Sequence, residues 1–322
     1  MPTDLERPLR WLKRLVVGTG QAPRLASLLE RAGALRLADR VSPPAPSVVT
    51  VELPRGGRGP VRRIRMSSLE GRDQVARGLR DAGWDGFEPP LPTVVTRAVR
   101  RWPGTVFDVG ANTGLYSLIA TAAHDRATAV AFEPVPEIVV LLRSNLALNP
   151  GGSRVIVEEV AIGDATGRAT LHLPPAQPDG TIETSASLEP DFKEQIDRVI
   201  EVATSTLDDA WRRHGRPEVT MVKIDVEGSE ARVLAGAGDL VAACRPIVSV
   251  EVLDRVDPAP LEALREELGY LDVSLAPDEA CVHTAVEVIP GAANHLLVPR
   301  ERLDAVVADL RQIPGLRVRH DA

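Results

Sequence analysis

Residues 106–117 read VFDVGANTGLYS, and this stretch decides the fold of the chain. An apolar run ends in Asp108, passes through Gly110 and Gly114, and continues into a second apolar segment. In open α/β sheets ligands bind beyond the carboxyl ends of the strands, and glycine there lets the backbone approach a ligand closely. The stretch therefore predicts a strand, a ligand-binding turn and a helix, with an ordinary strand–helix turn as the alternative.

From this point onward, short apolar runs alternate with helical patterns. Strands are predicted at Thr105–Val109, Ala127–Glu133, Val155–Ala161, Val219–Asp225 and Pro246–Val252. Apolar residues three and four apart predict a helix over Pro136–Leu148. Strands that alternate with helices give a mostly parallel sheet with right-handed crossovers, so we expect an α/β fold with helices on both faces. Residues 162–218 interrupt the alternation and are interpreted as a long insertion, which is typical of lids, binding loops or disordered segments.

The spacing of the glycines separates two classes of cofactor. Dinucleotide loops read G-x-G-x-x-G and hold a pyrophosphate at the helix N-terminus. This chain has Asn112 and Leu115 where that pattern requires its second and third glycines. S-adenosylmethionine (SAM) carries no phosphate, so its loop needs a glycine beside the methionine part and an acceptor for the amino group. Asp108 and Gly110 fit those roles, and the pattern favours SAM over NAD.

Acids stand at the ends of three later strands. Glu133 follows the second strand, where a carboxylate can accept both ribose hydroxyls of an adenosine, a role common to NAD and SAM sites. Asp225, Glu227 and Glu230 fall within six residues after the fourth strand, and Glu251 ends the fifth. Such a cluster indicates cation binding, substrate binding or a general base. Glu230 is interpreted as structural, because acids near a helix start interact favourably with its dipole.

Composition limits the classes of partner and compartment. The net charge of −7 and the pI near 5.5 give no sign of the basic domain that nucleic-acid binders usually carry. Cys244 and Cys281 are too few for a disulfide scaffold and form no CxxC pair, which favours the cytoplasm. No apolar run reaches the length of about 18 residues that suggests a membrane helix, and residues 7–17 lack the pattern of a signal peptide.

The first part of the chain has a different character. Helices are predicted within residues 5–40, a proline-rich linker follows at 42–46, and strand-like runs at Val48–Leu53 and Val61–Met66 predict a β-hairpin. We therefore expect an N-terminal extension over residues 1–87 and a cofactor-binding domain over 88–322. The extension is a candidate surface for pairing two copies of the chain.

The segments from about residue 88 to 252 resemble, in their order and spacing, the FkbM-type family of SAM-dependent methyltransferases. The residues that carry the resemblance are Phe107–Gly114, Phe132–Pro136, Asn145, Asn149, Val160–Asp164, Thr206–Asp209, Lys223–Glu230, Gly236, and Arg245–Pro246 leading to Glu251. The resemblance implies a class I fold, which is a Rossmann-like seven-stranded sheet with helices on both faces and an antiparallel last hairpin. It also implies methylation of hydroxyl groups on natural products, sugars or related small molecules.

The resemblance assigns a SAM site to this chain. Residues Asp108 to Gly114 would hold the methionine part, Glu133 the ribose, and Ile162 to Asp164 would lie near adenine. The full predicted set is Asp108, Gly110, Ala111, Asn112, Gly114, Tyr116, Glu133, Pro134, Ile162, Gly163, Asp164 and Asp225. S-adenosylhomocysteine would be the product of the cofactor.

A substrate hydroxyl of high pKa must lose its proton during methyl transfer. The candidate bases are Asp225, Glu227 and Glu251, with His283 as a further candidate. The segment Thr184–Leu188 is expected to close over the substrate. A divalent metal at Asp225 with other acids is a further alternative, although the sequence shows no complete ligand set, and no metal-ligating residue is assigned. The alternatives are an N- or carboxyl-methyltransferase, a non-catalytic SAM- or nucleotide-binding module, and an NAD enzyme.

Overall fold

The computed structural model describes residues 47–54, 61–175, 177, 181–182, 185–190, 192 and 195–321. The helices predicted within residues 5–40, the linker at 42–46 and the hairpin turn at 55–60 lie outside this part. From Val48 onward the chain forms one compact unit. No helix among the described residues is long and apolar enough to cross a bilayer.

The structure contains fourteen strands and nine α-helices among the described residues. The strands are β1 (Val48–Glu52), β2 (Arg63–Ser67), β3 (Thr105–Val109), β4 (Thr128–Phe132), β5 (Val155–Glu158), β6 (Ala161–Ile162), β7 (Gly167–Leu173), β8 (Arg198–Ser205), β9 (Val219–Ile224), β10 (Ile247–Glu251), β11 (Tyr270–Ala276), β12 (Glu279–His283), β13 (Asn294–Pro299) and β14 (Arg317–His320). The helices are α1 (Gln74–Ala82), α2 (Leu91–Arg101), α3 (Leu115–Ala123), α4 (Pro136–Ala147), α5 (Leu207–Arg213), α6 (Glu230–Ala235), α7 (Gly238–Cys244), α8 (Ala259–Leu268) and α9 (Leu303–Leu310). Short 3₁₀ turns occupy Leu69–Gly71, Gly83–Gly86, Pro150–Arg154 and Arg300–Arg302.

The central sheet has nine strands in the order β14-β12-β11-β13-β10-β9-β3-β4-β5. Strands β10, β9, β3, β4 and β5 run parallel, and β13 lies antiparallel between β10 and β11. Seven strands, from β5 to β11, thus form the class I SAM methyltransferase sheet with its antiparallel last hairpin, as expected. Strands β12 and β14 extend one edge beyond the predicted seven.

The inner strands β3, β4, β9 and β10 are buried on both faces, which explains their continuous apolar runs. Neighbouring side chains of a strand point to opposite faces. Val106 therefore packs in one apolar cluster with Leu118 of α3, whereas Phe107 packs in the other. The rings of Phe107 and Phe132 meet edge to face, with centroids 5.4 Å apart. Each fully buried side chain of this size contributes about 2 kcal/mol to the free energy of unfolding.

The third predicted strand is shorter than expected. Residues Val155–Glu158 pair with β4, but Ala161–Ile162 leave the central sheet and pair with β8. They begin a small sheet of order β6-β8-β7, whose other two strands lie within the predicted insertion. Its apolar residues Leu171 and Val202 pack with Ile138 of α4. The insertion therefore contains a small β-sheet beside the carboxyl edge of the central sheet, rather than being one long loop.

The predicted hairpin is confirmed, since β1 and β2 pair antiparallel with Val48 opposite Ser67. Two asparagines of the α4 region bind its backbone. The backbone N–H of Ser67 donates to Asn145 Oδ1 at 2.8 Å, and that of Arg65 donates to Asn149 Oδ1 at 2.8 Å. The hairpin and α4 belong to one compact unit, and the boundary at residue 87 stays a prediction.

Candidate active site

A cavity of about 190 Å³ opens beyond the carboxyl ends of β3, β4, β9 and β10. This is where ligands bind in open α/β sheets. Of the predicted site residues, eight line it: Gly110, Asn112, Glu133, Pro134, Ile162, Asp225, Glu227 and Glu251. Residues that are far apart in the chain are thus brought to one place by the parallel strands.

The turn after β3 requires glycine for two different reasons. Gly110 has a φ of +73°, and a Cβ there would lie 1.8 Å from the backbone oxygen of Asp225. Gly114 has a φ of +96°, and its Cβ would lie 2.4 Å from Leu142 Cδ1 of α4. The first glycine lets β3 and β9 end side by side at the cavity. Gly114 lets the first turn of α3 pack closely against Leu142 of α4.

Glu133 is buried at the end of β4 and presents its carboxylate to the cavity. Its Oε2 accepts the backbone N–H of Asn112 at 2.9 Å, and its Oε1 accepts that of Val135 at 3.0 Å. A carboxylate offers about four acceptor positions, so both oxygens keep capacity for a ligand. Burial raises the pKa of Glu133 to about 7, although the two backbone hydrogen bonds oppose this. A pair of ribose hydroxyls suits such an acceptor.

Asp108 does not line the cavity. Its Oδ2 accepts the backbone N–H of Ser117 at 2.8 Å and the hydroxyl of Ser117 at 2.7 Å, inside the protein. This pair of hydrogen bonds fixes the start of α3. A contact of Asp108 with the cofactor's amino group stays a prediction. Ala111, Gly114 and Tyr116 are also buried and are not among the residues that line the cavity.

The predicted adenine segment is divided between the cavity and the surface. Ile162 lines the cavity, but Gly163 and Asp164 do not. The carboxylate of Asp164 pairs with the guanidinium of Arg232 at 2.9 Å, and both side chains are exposed. This hydrogen bond holds the pKa of Asp164 below its usual value. Asp164 therefore joins the insertion to α6 at the surface.

Three carboxylates form a cluster at one wall of the cavity. Oxygen atoms of Glu88, Asp225 and Glu251 lie within 4.8 Å of one another. Glu88 precedes α2 and accepts the hydroxyl of Tyr116. Sequence analysis missed Glu88, and its signal is weak: one acid in the otherwise apolar stretch from Phe87 to Pro92.

A buried lysine stands behind this cluster. The ammonium of Lys223 lies 3.1 Å from Asp225 Oδ2 and 5.1 Å from the ring centroid of Tyr116. Burial alone would lower the pKa of Lys223, but Asp225, Glu88 and Glu251 raise it above its usual value. A divalent metal at Asp225 gains no support here, because Lys223 already places a cation beside that carboxylate.

Glu251 differs from the other acids of the cluster. Burial, and then the charge of Asp225, raise its pKa to about 9 against the opposing charge of Lys223. Within the described part of the chain, no hydrogen bond reaches its carboxylate. At neutral pH Glu251 therefore keeps a proton, while Asp225 faces the ammonium.

The remaining candidates take three different places. Glu227 lines the cavity, and its backbone oxygen accepts the hydroxyl of Ser187 at 2.7 Å. Glu230 Oε1 accepts the backbone N–H of Gly228 at 3.3 Å, in line with a structural role at the start of α6. His283 lies away from the cavity and interacts with Ser274 and Asp321.

The segment expected to close over the substrate already borders the cavity. Ala186 and Leu188 line it, and Ser187 pairs with His172 of β7 through a β-bridge. Thr184 lies outside the described residues. Closure of this segment stays a prediction.

Comparison with known proteins identifies a family. The sequence model of the methyltransferase FkbM domain matches residues 108–271, which is half of the chain. The 31-O-demethyl-FK506 methyltransferase FkbM of Streptomyces tacrolimicus is 33% identical over 167 residues, which cover 42% of this chain and 61% of that protein. The methyltransferase sdnD of Sordaria araneosa is 27% identical over 208 residues, covering 56% and 80% of the two chains.

A solved structure of a methyltransferase FkbM from Methylobacillus flagellatus KT is 16% identical, with a TM-score of 0.40, and covers 60% of this chain and 43% of that one. This chain thus spans about three fifths of the Streptomyces relative and less than half of the Methylobacillus protein. By the match over residues 108–271, the chain belongs to the FkbM family of methyltransferases.

Proposed function

We propose that this protein transfers a methyl group from SAM to a hydroxyl group of a small molecule. The observation that carries the proposal is the carboxyl of Glu251, which has a raised pKa and lies in the same cavity as Gly110 and Glu133. Glu133 offers an acceptor for an adenosine, and Glu251 can accept a proton from the substrate once it has lost its own. The Streptomyces relative is named as a methyltransferase of an O-demethyl compound, and this name also supports a hydroxyl group as the target.

The cavity residues fit SAM. Gly110 and Asn112 would lie beside the methionine part, Glu133 would accept the ribose hydroxyls, and Pro134 and Ile162 would provide an apolar wall for adenine. When bound, SAM supplies an activated methyl group on a positive sulfonium. The protein's task is then to align the acceptor, exclude water and take up a proton.

Glu251 is the base in this proposal, and the other acids position it. Asp225 is paired with Lys223, and Glu88 already accepts the hydroxyl of Tyr116. A carboxylate that has a raised pKa takes a proton from a hydroxyl more readily than an ordinary one does. Glu227 lines the cavity and is proposed to contact the acceptor.

The charge of the cavity favours a neutral acceptor. The described residues that line it include Glu88, Glu133, Asp225, Glu227 and Glu251, with no lysine or arginine among them. A carboxylate or phosphate on the acceptor would be repelled by such a wall. Neutral molecules with several hydroxyl groups can donate hydrogen bonds to it.

A methyl-transfer screen tests this proposal. Purified protein is incubated with SAM carrying an isotopically labelled methyl group and with matched acceptors that bear a hydroxyl, an amine or a carboxylate. We expect labelled methyl ethers from neutral polyhydroxylated acceptors, identified by mass spectrometry and NMR. Labelled amines or esters would instead establish an N- or carboxyl-methyltransferase. SAM binding without transfer to any acceptor class would favour a non-catalytic module.

We also propose that the protein acts in the cytoplasm, on a small molecule rather than on nucleic acid, and as a pair of copies joined through residues 1–87. The net charge of −7 and the two free cysteines support the first two points. Cell fractionation and a nucleic-acid filter-binding assay test them. Light scattering after gel filtration, with the full chain and with a chain starting at residue 47, tests the pairing.

A further inference from the structure

A second group of side chains that can ligate a metal lies at the edge of the central sheet, away from the cavity. Cys281 and His283 are two residues apart on β12, so both side chains point to the same face. Strand β14 runs parallel beside β12, and the backbone N–H of Asp321, just after β14, donates to the oxygen of Val282 at 3.0 Å. The backbone therefore brings a thiol, an imidazole and a carboxylate together.

The three side chains are close enough to share one ion. Cys281 Sγ lies 3.3 Å from Asp321 Oδ1, and His283 Nδ1 lies 2.6 Å from Asp321 Oδ2. All three ligand atoms lie within 4.8 Å of one another. Ligand atoms around a tetrahedral zinc ion are about 3.5 Å apart, given its usual bond lengths. The Asp321 side chain is exposed, so it has room to rotate and lengthen the 2.6 Å distance between its Oδ2 and His283 Nδ1.

The imidazole is held by a buried hydroxyl. Ser274 of β11 is 3% exposed, and its Oγ lies 2.8 Å from His283 Nε2. A histidine that binds a metal through one ring nitrogen usually donates the N–H of the other to a nearby oxygen, which fixes the ring. Ser274 supplies that oxygen here and turns Nδ1 of His283 toward Cys281 and Asp321.

We propose that Cys281, His283 and Asp321 bind a divalent transition-metal ion of the zinc class, with the fourth position open to solvent. Sulfur, imidazole nitrogen and carboxylate oxygen are the donors that Zn²⁺ takes in tetrahedral sites. On binding, the thiol of Cys281 loses its proton to solvent. Thiolate and carboxylate then neutralise the double charge of the ion. The ion would join β12 to the segment after β14 and fasten the sheet edge.

Co²⁺ is the probe, because a bond from thiolate to cobalt gives an intense near-ultraviolet band. The untagged full chain is treated with a chelator, dialysed and titrated with Co²⁺. We expect one Co²⁺ per chain with this band, which Zn²⁺ then removes by displacement. Zn²⁺ alone should raise the melting temperature, since an ion that binds the folded state stabilises it. Neither the cobalt band nor the melting temperature depends on methyl transfer.

Four variants locate the site. Cys281→Ser should abolish the band, whereas Cys244→Ser, the matched control at the other free cysteine, should keep it. Asp321→Asn changes an exposed side chain, so we expect the fold to stay intact and Co²⁺ binding to weaken at least about tenfold. Ser274→Ala should weaken Co²⁺ binding about tenfold and retain the band. Absence of the band in the parent protein, its persistence in Cys281→Ser, or unchanged affinity in Asp321→Asn would overturn the proposal.

Discussion

The ammonium of Lys223 lies 3.1 Å from the carboxylate of Asp225, two residues further along the chain, at the cavity edge of the sheet. Lys223 is buried, and its positive charge opposes the rise in the pKa of Glu251. This ion pair lets three carboxylates stand together at the cavity wall. Burial and the charge of Asp225 raise the pKa of Glu251 to about 9, so Glu251 holds a proton at neutral pH.

Removal of this cation tests the balance of charge. Lys223→Met is expected to lower the free energy of unfolding by about 2 kcal/mol at pH 8, because Asp225, which is partly exposed, loses its buried partner. The loss should shrink at pH 6, since protonation of the remaining acids relieves their repulsion. Urea unfolding at both pH values measures it.

The exposed pair of Arg232 and Asp164 offers the control. Arg232→Met should change the free energy of unfolding by no more than about 0.5 kcal/mol. Equal losses in the two variants, or a loss in Lys223→Met that does not depend on pH, would contradict this account of the cluster.

Glu251→Gln is expected to separate activity from stability. Turnover should fall by about a hundredfold or more, because the proton acceptor is lost. The pKa of Glu251 is raised to about 9, above that of an unfolded glutamate. Its contribution to stability is therefore present at low pH and is lost as pH rises toward 9.

The glutamine variant should therefore lose stability less steeply than the parent between pH 6 and pH 9, as measured by thermal melts. Glu159→Gln, at an exposed acid paired with Arg143, is the control for both readouts. Parental turnover in Glu251→Gln would remove Glu251 from the mechanism.

Turnover of the parent protein should itself depend on pH. A base acts only when it has lost its proton, so the rate should rise with pH and level off near the pKa of Glu251, about 9. Initial rates at saturating SAM and acceptor, from pH 6 to pH 10, give the profile. A rate that is flat over this range would argue for chemistry without this base.

Cofactor affinity should weaken at acid pH because of Glu133. Burial raises the pKa of this carboxyl to about 7, and its ionised form is the better acceptor for ribose hydroxyls. The dissociation constant for S-adenosylhomocysteine should rise about tenfold from pH 8 to pH 6, following the ionised fraction. Glu133→Gln should bind weakly at both pH values. If the affinity of Glu133→Gln for S-adenosylhomocysteine depended on pH in the same way, the pH dependence would arise from another group.

Gly110→Ala tests the close approach of β3 and β9. A Cβ at Gly110 would lie 1.8 Å from the backbone oxygen of Asp225, and the φ of +73° disfavours any side chain. Gly215 has a similar φ of +76° with nothing within 4 Å of its Cβ position. Gly215→Ala should therefore cost about 1 kcal/mol from backbone strain alone. Gly110→Ala should cost clearly more and weaken cofactor binding, and equal costs would contradict the contact.

Local sequence patterns predict the parts of this structure that local physics determines. The strand before Gly110, the acid at the end of β4 and the hairpin of β1 and β2 follow from apolar runs, turn residues and strand ends. Helix α4 begins at Pro136, as proline at a first helical position suggests.

Contacts between distant segments lie beyond such patterns. Glu88 reaches Asp225 and Glu251 only because the strands and α2 fold together, and nothing in its neighbourhood marks it as a site residue. Asp108 has a local partner, Ser117, but the same motif suits a cofactor contact equally well. The ion pair between Asp164 and Arg232 forms only because the insertion packs beside α6. Strand β14 has four residues, of which Val318 alone is apolar, so no local pattern marks it as a strand of the sheet.

Calorimetric titration with S-adenosylhomocysteine and with NAD, on the parent protein and on Glu133→Ala, tests the central claim most directly. The account predicts micromolar binding of S-adenosylhomocysteine to the parent, little binding of NAD, and loss of the former in the variant. NAD binding in place of S-adenosylhomocysteine, or equal binding of S-adenosylhomocysteine by both proteins, would contradict the assignment of this cavity.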